Sequence, residues 1–592
     1  MDKRIVLVAR YYSIEPLGIL YLAGLVRQIK GWECKVVLVN EFDFEPLYQT
    51  VRDWKPDIVG FQIWTGYHLQ AFRACDAVRL MGVPVVIGGP HATYFDKECA
   101  HHADWVVKGS GFGALAKILQ GSMPRVIHFD KKGREDPFPP PDRDIVYRAY
   151  PEIGASPIKS MFASVGCPFT CTYCYAPAFN EMHGGFKLTM RPVEGLINEA
   201  RAIQEHWPLQ MVYFQDDIFG YDRKWLEEFA QRWKREIGVP FHCQIRLELT
   251  RHDVGDRRLD LFREAGCTGI SLAIESGNAF LRDRVLFRHM PGHLIEEGCK
   301  KIMDRGMTLR TEQILAVPFS NTETDLATLA LNSRINPTMV WTSILAPYGG
   351  TDMGTIVSNF GFYTGNNDDL SEKFFDRSIL RHPAGGPRDI EPIVEKLGVP
   401  LSAPPHKQPL LLLRAVRVAG SIFDVVDEKG DKLGTIEHLD DRGNDRYCTD
   451  SVRLQRLFIP LAKMPNAEEL GRKILNLGEE EWKWEGIGRE ITAHLSTMIP
   501  ETELQRRVHV LADEMHLSSP EELPEPIAQN PHYFCVFPEG GKLAQKVVDE
   551  GVFSPSHSTA ESLDELGTMS RRHLFHYGLY RIEAGREPIA RS

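Results

Sequence analysis

The sequence predicts an α/β protein made of two alternating strand–helix units and a mixed α/β C-terminal region. Three observations carry that reading. Over residues 1–120, near-continuous apolar runs alternate with amphipathic helical segments, the pattern of a doubly wound parallel sheet buried on both faces. Pro137-Phe138-Pro139-Pro140-Pro141 then breaks the pattern. Over residues 159–350, six further strand–helix pairs follow.

In chain order, Ile5–Ala9 is the first strand and Pro16–Lys30 the first helix, with proline at its start and Gly31 past its end. Lys35–Asn40, Asp57–Trp64, Val83–Gly88 and Trp105–Lys108 read as strands, and Glu45–Trp54 and Leu69–Met81 as helices. These elements make a first domain of residues 1–128. Residues 129–158 form a linker whose prolines favour an extended, stiff strap. A second domain, residues 159–355, has strands at Ser160–Val165, Met211–Phe214, Phe241–Leu247, Gly269–Glu275, Thr308–Val317 and Met339–Pro347. Its clearest helix is Arg223–Ile237, with Trp225, Phe229 and Trp233 on one face, Asp222 as N-cap and Gly238 past the end; that stripe reads as core. Residues 356–592 read as a separate domain capping the second unit and shaping a substrate site, with an oligomerisation module as the alternative. Its expected elements are a hairpin over Ser421–Glu437, helices at Ala467–Leu477 and Thr502–Glu514, a short apolar strand at Tyr533–Phe537 and an aromatic tail at Leu574–Tyr580.

With 592 residues the chain is long enough for several domains with sizeable cores, and 43% hydrophobic with 25% charged residues is ordinary for a globular protein. A net charge of −11 argues against a broad nucleic-acid-binding surface. The apolar run after Met1-Asp2-Lys3-Arg4 is too short for a signal-peptide core, and no run approaches the ~20 apolar residues of a membrane span. The reading is therefore a cytoplasmic protein with neither nucleic acid nor membrane as a partner; unpatterned cysteines fit a reducing compartment.

The densest chemistry lies at Gly166-Cys167-Pro168-Phe169-Thr170-Cys171-Thr172-Tyr173-Cys174-Tyr175. Cys167, Cys171 and Cys174 are spaced Cys-x-x-x-Cys-x-x-Cys, and the other eight cysteines are scattered. Three thiolates hold three irons of a 4Fe–4S cluster and leave the fourth iron open to a ligand. Zinc normally takes four ligands in two pairs, and core cysteines do not cluster among polar and turn residues.

This spacing, with an aromatic before the third cysteine and Pro168-Phe169 after the first, resembles the radical S-adenosylmethionine (SAM) superfamily. The resemblance implies a partial (β/α)6 barrel with its active site at the carboxyl ends of the strands, and an open iron that chelates SAM. It places SAM contacts at Tyr173, at Gln215-Asp216-Asp217, at Arg246, and at Glu275 and Ser276. For Asp216 or Asp217 a plain helix N-cap remains an alternative.

The strand ends of the first domain carry Trp64-Thr65-Gly66-Tyr67-His68, Gly88-Gly89-Pro90-His91-Ala92-Thr93 and Gly109-Ser110-Gly111. Glycines there let a backbone approach a bulky ligand, although tight turns explain them equally well. Standing before the cysteine triad, this Gly-Gly-Pro-His-Ala-Thr segment and Pro56-Asp57-Ile58-Val59-Gly60 resemble the Rossmann-like cobalamin-binding domain of cobalamin-dependent radical SAM enzymes, over about residues 1–355. The resemblance implies cobalamin contacts at Tyr11, Trp64, Thr65, Gly66, Tyr67, His68, Gly88, Gly89, Pro90, His91, Gly109 and Gly111. The loop Arg10–Gly18 contains no histidine. Cobalamin is therefore expected with its own base displaced and no histidine on cobalt, Trp64–His68 beneath it, and His68 starting a helix and turned to solvent.

The activity implied is radical methylation. SAM methylates cobalamin; a second SAM, cleaved at the cluster, removes hydrogen from an unactivated carbon, which then takes the methyl group from methylcobalamin. The implied partners are a small-molecule or peptide substrate and an electron donor such as flavodoxin or ferredoxin. A cobalamin-dependent cyclisation or rearrangement, nucleophilic methyl transfer, and a non-catalytic cobalamin or redox sensor are the alternatives.

Overall fold

The computed structural model describes residues 2–478 apart from short stretches (12–14, 41–42, 123, 125–126, 131–137, 186–187, 371–376, 403, 463 and 465), together with 553–555 and 580–582. Strands β1 (Lys3–Arg10), β2 (Trp32–Val39), β3 (Ile58–Gln62), β4 (Val85–Gly88), β5 (Trp105–Gly109) and β6 (Ile127–Asp130) form an all-parallel sheet in the order β2-β1-β3-β4-β5-β6. Alternate side chains of β1 enter opposite cores. Ile5, Leu7 and Ala9 pack with Leu20 and Val26 of the helix Leu17–Gln28, while Val6 and Val8 pack with Phe61, Phe72 and Ile87. Burial on both faces is why the middle of β1, Ile5–Ala9, is apolar at consecutive positions. The strand order reverses between β1 and β3, which opens a crevice at the carboxyl ends. Strand β6 is an element the sequence reading did not assign.

The linker departs from the expected strap. Two short helices, Asp144–Tyr147 and Pro151–Ala155, follow the prolines, and the chain before them lies against the helix Leu17–Gln28. Asp142 N–H donates to the Leu20 carbonyl at 2.9 Å, and a Cβ at Gly24 would sit 1.9 Å from the Pro140 oxygen. Glycine at 24 is what lets the strap touch the helix.

The second sheet begins with β7 (Ile158–Met161). The two-residue strands β8 (Ser164–Val165) and β9 (Thr189–Met190) pair with each other beside it. Then come β10 (Met211–Phe214), β11 (Phe241–Ile245), β12 (Cys267–Glu275), β13 (Thr308–Leu315) and β14 (Met339–Ile344). The order β14-β13-β12-β11-β10-β7 is sequential and all parallel, the arrangement of a half-barrel. The helix Arg223–Glu236 is capped by Asp222, which accepts the Trp225 N–H at 2.8 Å. Its stacked Trp225, Phe229 and Trp233 stripe packs on Phe214, Phe219 and Phe241, as core.

The described part of the C-terminal region shares a core with the end of the half-barrel. Strands β15 (Arg414–Ala419), β16 (Ile422–Val426) and β17 (Lys432–Glu437) are antiparallel; Val425 and Ile436 pack with Phe319, Leu345, Phe360 and Phe362. The helix Asp441–Leu461 covers the outermost strand β14, where Gln455 Nε2 donates to the Thr342 carbonyl at 3.0 Å and satisfies an edge acceptor. A helix at Ala467–Leu475 follows. The expected helix Thr502–Glu514, the strand Tyr533–Phe537 and the aromatic tail up to residue 579 lie outside the described residues. Tyr580 begins a short strand that pairs with Phe553–Pro555.

A buried polar network joins the two sheets. Arg143 Nη1 donates to Glu15 Oε1 at 2.9 Å and Arg143 Nη2 to Glu199 Oε1 at 2.6 Å; Arg191 Nη1 lies 2.8 Å from Glu199 Oε2. Tyr21 and Tyr147 complete it, and Ser160 N–H donates to Glu15. Burial alone pushes the Glu199 carboxyl up, but Arg191 and Arg143 overcome it and hold the group below its usual range. Two acids against two guanidiniums, from the loop after β1, the linker, the turn after β9 and the helix that follows it, fix the sheets relative to each other.

Candidate functional site

The carboxyl ends of both sheets face one cavity of about 600 Å³. The first sheet contributes Gly18, Gln62, Gly88, Gly89, Pro90, Gly109, Ser110 and Gly111, and the half-barrel contributes Ser164, Gly166, Cys174, Tyr175, Gln215 and Asp217. Aromatic walls come from Tyr94, Phe112, Phe138, Phe162 and Phe179.

On the first sheet, Thr93 holds the glycine ends in place. Its Oγ1 donates to the Gly89 carbonyl at 2.9 Å and accepts the Gly109 N–H at 3.2 Å, joining the β4 and β5 loops. Gly89 stands at φ +99°, and a Cβ there would meet Ile63 O at 2.8 Å, so glycine is required by the fold itself. A Cβ at Gly88 would meet Val107 O at an ordinary 3.8 Å, leaving open space on the cavity side. Gly88, Gly89, Pro90, Gly109 and Gly111 of the expected cobalamin set thus stand around the cavity.

The rest of that set stands elsewhere. Tyr11, Trp64, Thr65, Gly66, Tyr67, His68 and His91 are not among the described residues lining the cavity. Tyr67 is buried and stacks on Phe44, and Thr65 Oγ1 lies 2.9 Å from His91 Nδ1. His68 does begin a helix, His68–Leu80, yet it is not turned to solvent as expected. It is 1% exposed, stacks on His91 with ring centroids 4.4 Å apart, and its Nε2 lies 3.1 Å from Asp368 Oδ1. Gly66, at φ +94°, makes the turn that precedes His68, whose ring lies against His91 of the helix Pro90–Tyr94.

The cysteine loop starts at Gly166, φ +95°, directly after β8. Cys174 caps the helix Tyr175–Met182, its Sγ accepting the Ala176 N–H at 3.4 Å. Asn180 of that helix donates to the Cys167 carbonyl at 2.7 Å, and Thr172 Oγ1 donates to Val285 O at 2.7 Å. Burial pushes the Cys167 thiol up to about 12 and raises Cys174 too, with the Asp217 charge adding to both. Arg246 Nη1 lies 2.9 Å from Cys171 Sγ and Arg288 Nη1 3.5 Å from it, while Arg246 also stacks over Phe169 at 3.8 Å.

Among the expected SAM contacts, Gln215 and Asp217 line the cavity. Asp216 faces the other way: fully buried, it accepts the Ala163 N–H at 3.0 Å and the Ser164 hydroxyl at 2.5 Å, and burial pushes its carboxyl up to about 7. It shapes the loop after β7 and does not reach the cavity. Tyr173 donates to Glu275 Oε1 at 2.5 Å, Arg288 Nη1 reaches the Tyr173 hydroxyl at 3.2 Å, and Ser276 Oγ accepts the Asn278 N–H at 3.2 Å. Arg246 is held by Glu248 at 2.6 Å as well as by the thiol. Glu275 sits at φ +68°, a strained non-glycine position at the end of β12.

Sequence reasoning missed Arg288, which lies in an irregular turn without a flanking motif. It also missed Tyr94, Tyr175 and Phe138. Tyr94 and Tyr175 stack at 4.0 Å, and Tyr94 hydroxyl donates to the Tyr175 carbonyl at 3.1 Å. The signal for both was present, since Tyr94 directly follows the Gly88–Thr93 segment and Tyr175 ends the cysteine stretch.

These residues fit the expected groups. Three cysteines on one capped loop, with guanidinium donors at Cys171, are a donor set for an iron–sulfur cluster that keeps one iron open. The glycine-rimmed, aromatic-walled cavity provides a large apolar space for a corrin ring beside that loop.

Comparison with known proteins agrees. Residues 3–119 match the B12 binding domain family and residues 161–330 the radical SAM superfamily. An uncharacterized methyltransferase of Pyrococcus horikoshii is 24% identical over 57% of this chain and 77% of its own. Cytidylyl-2-hydroxyethylphosphonate methyltransferase of Streptomyces wedmorensis is 24% identical over 44% of this chain and 61% of its own. Anaerobic magnesium-protoporphyrin IX monomethyl ester cyclase of Rubrivivax gelatinosus is 22% identical over 57% and 65%. The chain thus spans less than two thirds of the second and third of these relatives. A solved structure of OxsB, a cobalamin-dependent S-adenosylmethionine radical enzyme with aqua-cobalamin bound, superposes with a TM-score of 0.54 at 14% identity, over 98% of this chain and 85% of that one; the likeness is one of fold. The chain thus combines a B12-binding domain with a radical SAM domain, and both open onto one cavity.

Proposed function

We propose that this chain is a cobalamin-dependent radical SAM methyltransferase that transfers a methyl group from SAM to a carbon centre of a small-molecule or peptide substrate. The observation that carries the reading is the single cavity touching Cys174 on one side and Gly88, Gly89, Gly109 and Gly111 on the other. Two of the three relatives above are named methyltransferases and one a cyclase, which favours methylation over cyclisation.

Cys167, Cys171 and Cys174 hold the cluster in this reading, and the glycine ends of β4 and β5 hold cobalamin. When bound, the cluster supplies the electron for SAM cleavage and cobalamin carries the methyl group. The chain's own residues bind and exclude. Asp217, beside Cys167 and Cys174, offers a negative charge to the SAM amino group, and Gln215 lines the same wall. Arg246 and Arg288 favour negative charge at Cys171. The aromatic walls keep water from the space between the cofactors. Cobalamin with its own base displaced and no imidazole on cobalt belongs to the same reading.

An electron donor such as flavodoxin or ferredoxin belongs to the same reading. So does the reducing cytoplasm; Cys243 and Cys267, with sulfurs 4.0 Å apart, are free thiols. Among the described residues no helix is long and apolar enough to cross a membrane.

The test is the SAM product pair. Anaerobically reconstituted protein with cobalamin, SAM and a low-potential reductant is expected to form 5′-deoxyadenosine and S-adenosylhomocysteine together. Deoxyadenosine alone would point to cyclisation, and neither product to a sensor.

A further inference from the structure

Outside the cavity, the first domain gathers ligand-type side chains that the proposed function does not use. One nitrogen each from His68 and His91 and one carboxylate oxygen from Glu98 lie within 4.8 Å of one another. His91 Nε2 is 3.4 Å from Glu98 Oε2, and His68 Nε2 is 3.1 Å from Asp368 Oδ1. Ligand atoms around a tetrahedral ion with bonds of ~2.0–2.1 Å stand about 3.3 Å apart, close to each of these two pair spacings.

We propose that His68, His91 and Glu98, joined by Asp368, bind a divalent transition metal of the zinc class that ties the C-terminal region to the B12-binding domain.

A second, independent observation comes from His91. Its side chain is 0% exposed and its Nε2 has no hydrogen-bond partner, while Nδ1 is anchored on Thr65 Oγ1 at 2.9 Å. With the proton on Nδ1 toward Thr65, a bare nitrogen lone pair faces a carboxylate 3.4 Å away. Two electron-pair donors pointed at each other repel, and a cation between them removes that repulsion. The Thr65 contact also fixes the tautomer and orientation that a ligating imidazole needs.

His68 bears a cost. Ligation through Nε2 leaves the proton on Nδ1, so the 3.2 Å approach of the Gly66 N–H to that nitrogen gives way. Two histidines and two carboxylates are a donor set of zinc and related divalent ions. Asp368 lies in the turn Asn367–Asp369, 300 residues from His68, and its neighbour Asn367 packs near Phe95 across Gly349. An ion there fastens two distant parts of the chain beside the cavity's outer wall.

The experiment uses the full-length protein carrying its cluster and cobalamin, incubated with Zn²⁺ and desalted. Elemental analysis is expected to give about one zinc per chain. X-ray absorption at the zinc edge is expected to show a nitrogen/oxygen shell with imidazole scattering and no sulfur. Glu98→Gln with Asp368→Asn, both partly exposed positions, is expected to weaken zinc retention by about tenfold or more with iron content and circular dichroism unchanged. No retained zinc, a sulfur shell that places zinc on cysteines, or retention indifferent to the double variant would each overturn the proposal. Should the double variant misfold, the wild-type absorption spectrum decides alone.

Discussion

Gly88 is the residue at which fold and ligand requirements separate. Gly89 beside it is tied to Ile63 by a left-handed backbone, and a side chain there disturbs the sheet before it meets a ligand. Gly88 has φ outside that region and open space for a Cβ, so Gly88→Leu is expected to fold and to fill part of the cavity. Hydroxocobalamin affinity, read by absorbance titration, should fall by about tenfold or more, roughly 1.4 kcal/mol or above, with cluster iron retained. Unchanged affinity would move cobalamin away from the β4 end. The same scale shows what the sequence could not disclose. His68 and His91 follow strand ends as cobalamin contacts would, but which side of a loop a side chain takes depends on the turn at Gly66. Asp216 and Asp217 are neighbours in one motif; one enters the cavity wall and the other the backbone behind it.

Among the elements, the junction of the helices Thr322–Ile335 and Asp441–Leu461 carries a titration. Asp325 accepts from Tyr447 at 3.0 Å and Ser451 at 2.9 Å, fully buried, and burial raises its carboxyl from 3.8 to about 7. A raised folded-state value means that the stabilising contribution is complete below the unfolded value and is lost as pH rises through about 7. Asp325→Asn is expected to flatten the fall of thermal midpoint across that window, an effect on the order of a few kcal/mol. Asp216, raised to about the same value, leaves part of the slope in place. A slope identical to wild type would show that Asp325 ionises without penalty. At this scale most of the fold was legible: Glu45–Trp54 and Met211–Phe214 have the bounds their periodicity indicated, because apolar runs and caps are local signals. Strand β6, with only Ile127 and Phe129 apolar among its four residues, owes its place to pairing with β5 and carries no such signal.

For the whole molecule, the account rests on two sheets held so that their carboxyl ends share one space. The Glu15–Arg143–Glu199–Arg191 network supplies that fixation; removing one partner of such a buried set typically costs about 3–5 kcal/mol. The network was invisible in the sequence because Glu15 and Arg143 are 128 residues apart and Arg143 and Glu199 56, and each member looks like an ordinary surface charge. The described C-terminal region shields the outer strand β14 and contributes no residue to the cavity lining. The most direct test loads the protein with cobalamin and cluster, reduces them to Co(II) and the paramagnetic cluster, and records electron paramagnetic resonance beside the two singly loaded forms. The account predicts that the two spins split or broaden each other and speed each other's relaxation. A doubly loaded spectrum that is the plain sum of the single ones would contradict a shared cavity.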